Sequence, residues 1–142
     1  MTTFVDTSAV YAFLDQNDLA HDRAIAMWDG LSRQSEPLVT SNYVVVETIS
    51  LIARRLGFGA IRDLQRYFPG VVQVHWVDRS VHDRALNTFL TAGQRDLSLV
   101  DCVSFEVIRE LRLDSVFAFG PHFQSQGFHV VPDDSGRQPS VP

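Results

Sequence analysis

Short apolar runs alternate with longer segments of helical periodicity along most of the chain, and this alternation constrains the fold more than any other feature. Apolar or alternating runs typical of strands cover residues 3–6, 38–41, 71–77, 116–119 and 128–131. Apolar residues recurring every three or four positions predict helices over residues 8–15, 21–33, 43–56, 60–67, 80–92 and 98–111. Because parallel neighbouring strands need crossover helices, the pattern predicts an α/β three-layer sandwich around a central, mostly parallel five-stranded sheet.

Length and composition indicate one ordinary intracellular domain. The 142 residues are 45% hydrophobic, which is enough for a single compact core over residues 1–132. Residues 133–142 lack apolar periodicity, so we expect a disordered tail there. The single cysteine, Cys102, excludes an internal disulfide, and no apolar stretch is long enough to span a bilayer. We therefore expect a cytoplasmic protein with no membrane partner.

The charged residues exclude some classes of function. The net charge of −5 argues against a protein that coats nucleic acid, because such binding neutralises many phosphates. It leaves a nuclease possible, since acidic residues around a metal ion count as negative although the bound ion reverses their local effect. All 12 basic residues are arginine. The absence of lysine excludes P-loop phosphate binding and Schiff-base chemistry.

Three carboxylates, Asp6, Glu47 and Asp101, each close or interrupt a short apolar run. Asp6 ends the first predicted strand, and in parallel sheets ligands bind at the carboxyl ends of strands. A buried carboxylate is costly unless it has a partner, and three acids around one oxygen-lined site suit Mg²⁺ or Mn²⁺. The alternative is three unrelated features: a strand-end turn, a solvated helix face, and a helix cap, because Ser98 and Asp101 have the spacing of a capping box.

Four segments resemble the PIN-domain family in order and approximate spacing, most closely the small single-domain VapC-type toxins of type II toxin-antitoxin systems. They are FVDTSA at 4–9, NYVVVE at 42–47, LSLVDCVSF at 97–105 and FAFGPHFQSQGF at 117–128. The resemblance implies a metal-dependent ribonuclease, a hydrolase whose metal-activated water cleaves tRNA, rRNA or mRNA. It also implies a cognate antitoxin that holds the toxin inactive, and usually a homodimer.

The resemblance assigns catalysis and metal binding to Asp6, Glu47 and Asp101, with Mg²⁺ or Mn²⁺ as the cofactor. Many relatives have a fourth acid where this chain has Gly120. We expect Asp96 to substitute for that acid through water, ahead of Ser8 or Asp114. The loss leaves two other functions open: a catalytically impaired PIN-fold module that binds RNA or regulates, or a different metal-dependent phosphoesterase.

Several other residues are candidates for contact with the substrate. Thr7 and Ser8 could orient water or a phosphate oxygen, although they could equally cap the first helix, and Asn42 could be a contact or an N-cap. Arg95 and His122 are the basic candidates for contact with RNA phosphates. For the dimer surface we favour exposed apolar residues on the helices predicted over 60–67 and 80–92.

Overall fold

The computed structural model describes residues 1–133. Residues 134–142, which make up nearly all of the tail predicted to be disordered, lie outside the described residues. The strands are β1 (Thr3–Val5), β2 (Leu38–Ser41), β3 (Val72–His75), β4 (Ser115–Phe117) and β5 (Val130–Val131). They form one sheet in the order β3-β2-β1-β4-β5, and every neighbouring pair is parallel. The predicted α/β class and five-stranded sheet are confirmed.

Seven helices among the described residues cover the two faces of this sheet. They are α1 (Thr7–Leu14), α2 (His21–Ser32), α3 (Asn42–Arg55), α4 (Phe58–Tyr67), α5 (Arg79–Ala92), α6 (Leu99–Leu111) and α7 (His122–Ser125). A 3₁₀ turn, Phe68–Gly70, follows α4. None of the helices within residues 1–133 is both long and apolar enough to cross a lipid bilayer.

The alternation of side chains along each strand divides the core into two layers. Phe4 of β1 and Val116 of β4 belong to the layer packed against α5 and α6. Val5 and Phe117, the next residues along the same strands, belong to the layer packed against α1 and α2. Helix α3 contributes to both layers. It begins directly after β2, which is parallel to β1, so its first turns lie at the same end of the sheet as the residues that follow β1.

The strands are shorter than their apolar runs suggested. The predicted strand 71–77 ends at His75 because its partner β2 ends at Ser41, which pairs with His75. The predicted strand 128–131 begins only at Val130, because the Phe128 N–H donates to Phe123 O and closes the turn after α7. Periodicity measures apolar content, whereas a strand ends where its hydrogen-bonding neighbour ends.

Candidate active site

Asp6 lies directly after β1 and is the N-cap of α1. Its N–H donates to Phe117 O at 3.0 Å, so it extends the β1–β4 pairing by one residue. The Ser8 N–H and the Ser8 hydroxyl both donate to Asp6 Oδ2, at 3.1 and 2.6 Å. The residue is only 7% exposed. The helix start thus fixes one carboxylate oxygen of a nearly buried acid at the carboxyl end of the central strand.

Glu47 lies in the second turn of α3 and is half-buried. Its helix is attached to α1 by the Thr7 hydroxyl, which lies 2.9 Å from the Thr48 hydroxyl and donates to Val44 O at 3.5 Å. Burial raises the pKa of Glu47, and the negative charge of Asp101 adds to that rise, whereas a hydrogen bond with Thr7 opposes it. Thr7 therefore holds Glu47 beside the residues that follow β1.

Asp101 lies in the first turn of α6 and takes part in the predicted capping box. The Ser98 N–H donates to Asp101 Oδ2 at 3.2 Å, while the Asp101 N–H donates to Ser98 Oγ at 3.0 Å. The predicted cap is confirmed. It does not exclude a second role, because a carboxylate has two oxygens and the cap uses Oδ2.

Asp6 lies within electrostatic range of the other two carboxylates. Burial raises the pKa of Asp6 to about 6, although its hydrogen bonds with Ser8 oppose the rise, and the charges of Asp101 and Glu47 raise it further. The structure therefore brings together the three acids that the sequence singled out. Within residues 1–133, no three Asp, Glu, His or Cys side chains are already arranged to hold a metal ion. The two caps explain part of this, because they turn Oδ2 of Asp6 and of Asp101 toward their own helices.

Gly120 occupies the neighbouring corner of the same rim, after β4, with φ of +107°. A Cβ there would meet no atom within 4 Å, so backbone conformation rather than lack of space disfavours a side chain. Asp96 is 80% exposed, and its Oδ2 lies 4.0 Å from His122 Nε2. It is not among the acids that shift the pKa of Asp6 or Glu47.

The other residues predicted to contact the substrate differ in how exposed they are and in what they bind. Thr7 is 5% exposed, so its hydroxyl serves the packing of α1 on α3. Asn42 is the first residue of α3 rather than its cap: Ser41 is the N-cap, and Asn42 Oδ1 accepts from the Val77 N–H at 2.7 Å. Arg95 is exposed, whereas His122 is half-buried beside Asp96.

The sequence patterns missed two features of this rim. The Ser8 hydroxyl accepts from the Phe119 N–H at 2.9 Å and so connects Asp6 to the segment after β4. Arg23 of α2 lies over the Phe119 ring, 5.4 Å from its centroid. No spacing rule relates Phe119 to Ser8 or to Arg23, because each pair meets only after the sheet has formed.

A family model described as PIN domain matches residues 3–128. The chain is also 31% identical over 129 residues to a Mycobacterium tuberculosis protein named 23S rRNA-specific endonuclease VapC20. That match covers 90% of this chain and 96% of the relative.

Solved structures have the same fold. The crystal structure of Mycobacterium tuberculosis VapC20, described as a sarcin-ricin loop cleaving toxin, matches with a TM-score of 0.79 and 30% identity, covering 89% of this chain and 95% of that one. VapBC2 from Rickettsia felis, bound to a DNA fragment from its promoter, has a TM-score of 0.68 at 9% identity, over 92% and 97% of the two chains. FitAcB from Neisseria gonorrhoeae has a TM-score of 0.65 at 15% identity, over 90% of this chain and 95% of that one. At these low identities the last two show the fold alone.

Proposed function

The chain belongs to the PIN-domain family, and on this premise we propose that it is an endoribonuclease that hydrolyses RNA phosphodiester bonds as the toxin of a toxin-antitoxin pair. The finer proposal for its substrate is the sarcin-ricin loop of 23S rRNA, which rests on its 31% identity to VapC20. The observation that carries the proposal is the position of Asp6 directly before α1 and of Glu47 and Asp101 in the first two turns of α3 and α6, close enough for the charges of Asp101 and Glu47 to raise the pKa of Asp6.

A divalent cation, Mg²⁺ or Mn²⁺, fits this set of residues. The site supplies only hard carboxylate oxygens, and the like charges that raise the pKa of Asp6 would be offset by a cation. Asp6, Glu47 and Asp101 would hold the ion, and Asp96 would support it through water from its exposed position. When bound, the ion supplies an activated water and shields the charge that develops on the scissile phosphate.

The chain's own residues position these carboxylates. Ser8 holds Oδ2 of Asp6, and Ser98 holds Oδ2 of Asp101. Thr7 and Thr48 hold α3 against α1, so that Glu47 stays close to Asp101. Because these contacts come from helix starts on a packed sheet, they fix where the backbone of each acid lies, and the free carboxylate oxygens would turn toward the cation when it binds.

For RNA contacts we propose Arg95, His122, Ser8 and Asn42. Arg95 and His122 lie on the Gly120 side of the acids and would contact phosphates, which position a strand without reading its sequence. Ser8 lies between Asp6 and Phe119, and Asn42 begins the helix that carries Glu47. Thr7, which is buried, acts instead as a positioning residue for Glu47.

A cognate antitoxin is the proposed protein partner. Glu47 shares a groove of about 340 Å³ with Val46 and Val100, and Val46 is 65% exposed. An apolar antitoxin segment on that groove would cover Glu47 and block the RNA. We also propose that residues 1–132 act as one domain, that the protein is a homodimer through α4 and α5, and that it works in the cytoplasm, where the ribosome is.

The test is cleavage of an RNA panel by purified, antitoxin-free protein. The panel contains a 23S fragment with the sarcin-ricin loop, a tRNA pool and an mRNA, each with EDTA, Mg²⁺ or Mn²⁺. We expect metal-dependent cutting of the 23S fragment that Asp6→Asn abolishes. Asp29→Asn is the matched control, because Asp29 is an exposed acid on α2 whose loss changes net charge equally.

Gly120 favours one alternative, a PIN-fold module that binds RNA without cutting it. Folded wild-type protein that binds the 23S fragment equally with EDTA or metal, and cuts no RNA, would support that alternative and contradict the nuclease proposal. Cutting of DNA or small phosphate esters in preference to RNA would instead indicate a different phosphoesterase.

A further inference from the structure

A second concavity lies beside the acid cluster, at the carboxyl ends of β4 and β5. It has a volume of about 360 Å³, within the range of small-molecule sites. Its walls come from the start of α2, the segment after β4, helix α7 and the residues around β5. The side chains used below are Arg23, Phe119, Gln124 and His129. None of them belongs to the proposed catalytic machinery.

This cavity is joined to the acid cluster through Ser8. The Ser8 hydroxyl donates to Asp6 Oδ2 at 2.6 Å and accepts from the Phe119 N–H at 2.9 Å. One hydroxyl therefore separates the buried acid from the cavity wall. The next residue, Gly120, also lines the cavity and adds no side chain to that wall.

The cavity wall contains a guanidinium stacked over an aromatic ring, with polar side chains beside them. The Arg23 guanidinium lies 5.4 Å from the centroid of Phe119, in a cation–π arrangement. Gln124 and His129 are exposed and offer hydrogen-bonding side chains at the rim. Unpaired RNA bases are bound in this way, by stacking on aromatic rings or guanidinium planes and by hydrogen bonds to their edges.

We propose that this cavity is a nucleobase subsite, which takes one unpaired base of the RNA next to the scissile phosphate. The base stacks on the Arg23–Phe119 layer, and Gln124 contacts its edge. A glutamine amide has both a donor and an acceptor, and this pair matches the edge of adenine. The inference rests on the proposed ribonuclease function and assigns to the same site a determinant of where the RNA is held.

The test combines protein variants with abasic RNA. A hairpin with the sarcin-ricin loop is compared with hairpins in which each loop nucleotide in turn lacks its base, using wild type, Arg23→Gln and Phe119→Leu. For one abasic position we expect a loss of kcat/KM of about tenfold in wild type, as for removal of one stacked base. Each variant should lose a similar factor on intact RNA and nothing further on that abasic RNA.

Arg33→Gln is the matched control, because it removes the same charge from the exposed residue that follows the opposite end of α2. Arg33→Gln should cleave intact RNA with the wild-type kcat/KM and should show the same loss of about tenfold as wild type on the sensitive abasic RNA. Gln124→Ala, at an exposed position, tests the subsite without risk to folding and should reduce any preference for adenine at the sensitive position. If Arg23→Gln lowers kcat/KM by the same factor on intact and on abasic RNA, the subsite proposal is wrong. Such a result would show that Arg23 attracts RNA phosphates in general and does not stack on one base.

Binding of the same RNAs, followed by fluorescence anisotropy, separates this proposal from the nuclease proposal. If wild type cuts RNA and every abasic hairpin is cut and bound as well as the intact one, the subsite fails and the nuclease stands. If wild type cuts nothing, yet binds intact RNA more tightly than one abasic RNA in a way that requires Arg23 and Phe119, the subsite stands and the nuclease proposal fails.

Discussion

Two corners of the same sheet rim have opposite character. The corner after β1 has Asp6 at 7% exposure, where burial raises its pKa and the charges of two further acids add to that rise. The corner after β4 has Gly120 in place of an acid, an exposed Asp96 beside His122, and a cavity with Arg23. The first concentrates negative charge at a largely buried acid, and the second is open and contains the Arg23 guanidinium.

The difference suggests a division of labour along the rim. Charged groups cost most where they are buried, so the corner with the acids needs a cation to be stable when ionised. The corner with Gly120 has no buried acid that needs a cation, so it is free to bind the RNA. Losing the fourth acid on that side would therefore affect chemistry less than losing any of the three acids on the other.

The largest expected effect is loss of cleavage when the corner after β1 is altered. Asp6→Asn and Asp101→Asn should each lower kcat by about three orders of magnitude, because each removes part of a site worth several kcal/mol to the transition state. Single-turnover cleavage of the 23S hairpin measures this. A loss below tenfold in both variants would show that the coupled acids do not form the catalytic centre.

The next effect is on stability and has the opposite sign. Burial raises the pKa of Asp6 from its ordinary value of 3.8 to about 6 in the folded protein, so protonation of Asp6 favours folding. That stabilisation is complete below about pH 4 and is lost as pH rises through about 6. Metal-free Asp6→Asn should therefore be more stable than wild type by about 3 kcal/mol at pH 7 and similar to it at pH 4.

Urea unfolding in EDTA at the two pH values measures this difference, and Asn preserves an acceptor for the Ser8 N–H. Asp29→Asn is again the control and should show no such pH dependence. Added Mg²⁺ should stabilise wild type and leave Asp6→Asn nearly unchanged. Equal stability of wild type and Asp6→Asn at pH 7 would contradict the unfavourable burial of this acid.

Replacing Gly120 with a residue that has a side chain, including the acid found in many relatives, should destabilise the protein. Gly120→Ala should cost about 2 kcal/mol of unfolding free energy, because φ of +107° is poorly accessible to a residue with a side chain. Gly120→Asp should cost about as much and should not raise activity. Gly59→Ala is the matched control: Gly59 lies in α4, has no positive φ, and should gain stability. Increased cleavage by Gly120→Asp would show that the backbone there adapts readily.

The smallest effect is expected at Asp96. Since its side chain is 80% exposed, Asp96→Asn should reduce cleavage by about threefold and leave thermal stability unchanged. Metal titrations of cleavage by this variant would detect a weak contribution through water. A loss comparable with that of Asp6→Asn would make Asp96 a direct ligand and would remove the contrast between the two corners.

Local patterns predicted most elements and one cap correctly. The Ser98–Asp101 capping box is a sequence signal, because it depends on residues within one turn. The family resemblance is confirmed by a family model over residues 3–128. The same patterns predicted Thr7 as a possible substrate contact. They could not predict that Thr7 is buried between α1 and α3, because its partner Thr48 is distant in sequence. The helix α7 and the early end of β3 at His75 were also missed, since both depend on distant partners.

By itself the sequence determined the alternation of strands and helices, the lack of lysine, and the three acids placed at element ends. Only the tertiary structure decided that Asp6, Glu47 and Asp101 share one electrostatic environment, and that Arg23 lies over Phe119. The physical reason is that propensity and capping act over a few residues. The order β3-β2-β1-β4-β5, which sets the distances between these side chains, results from the packing of the whole sheet with its helices.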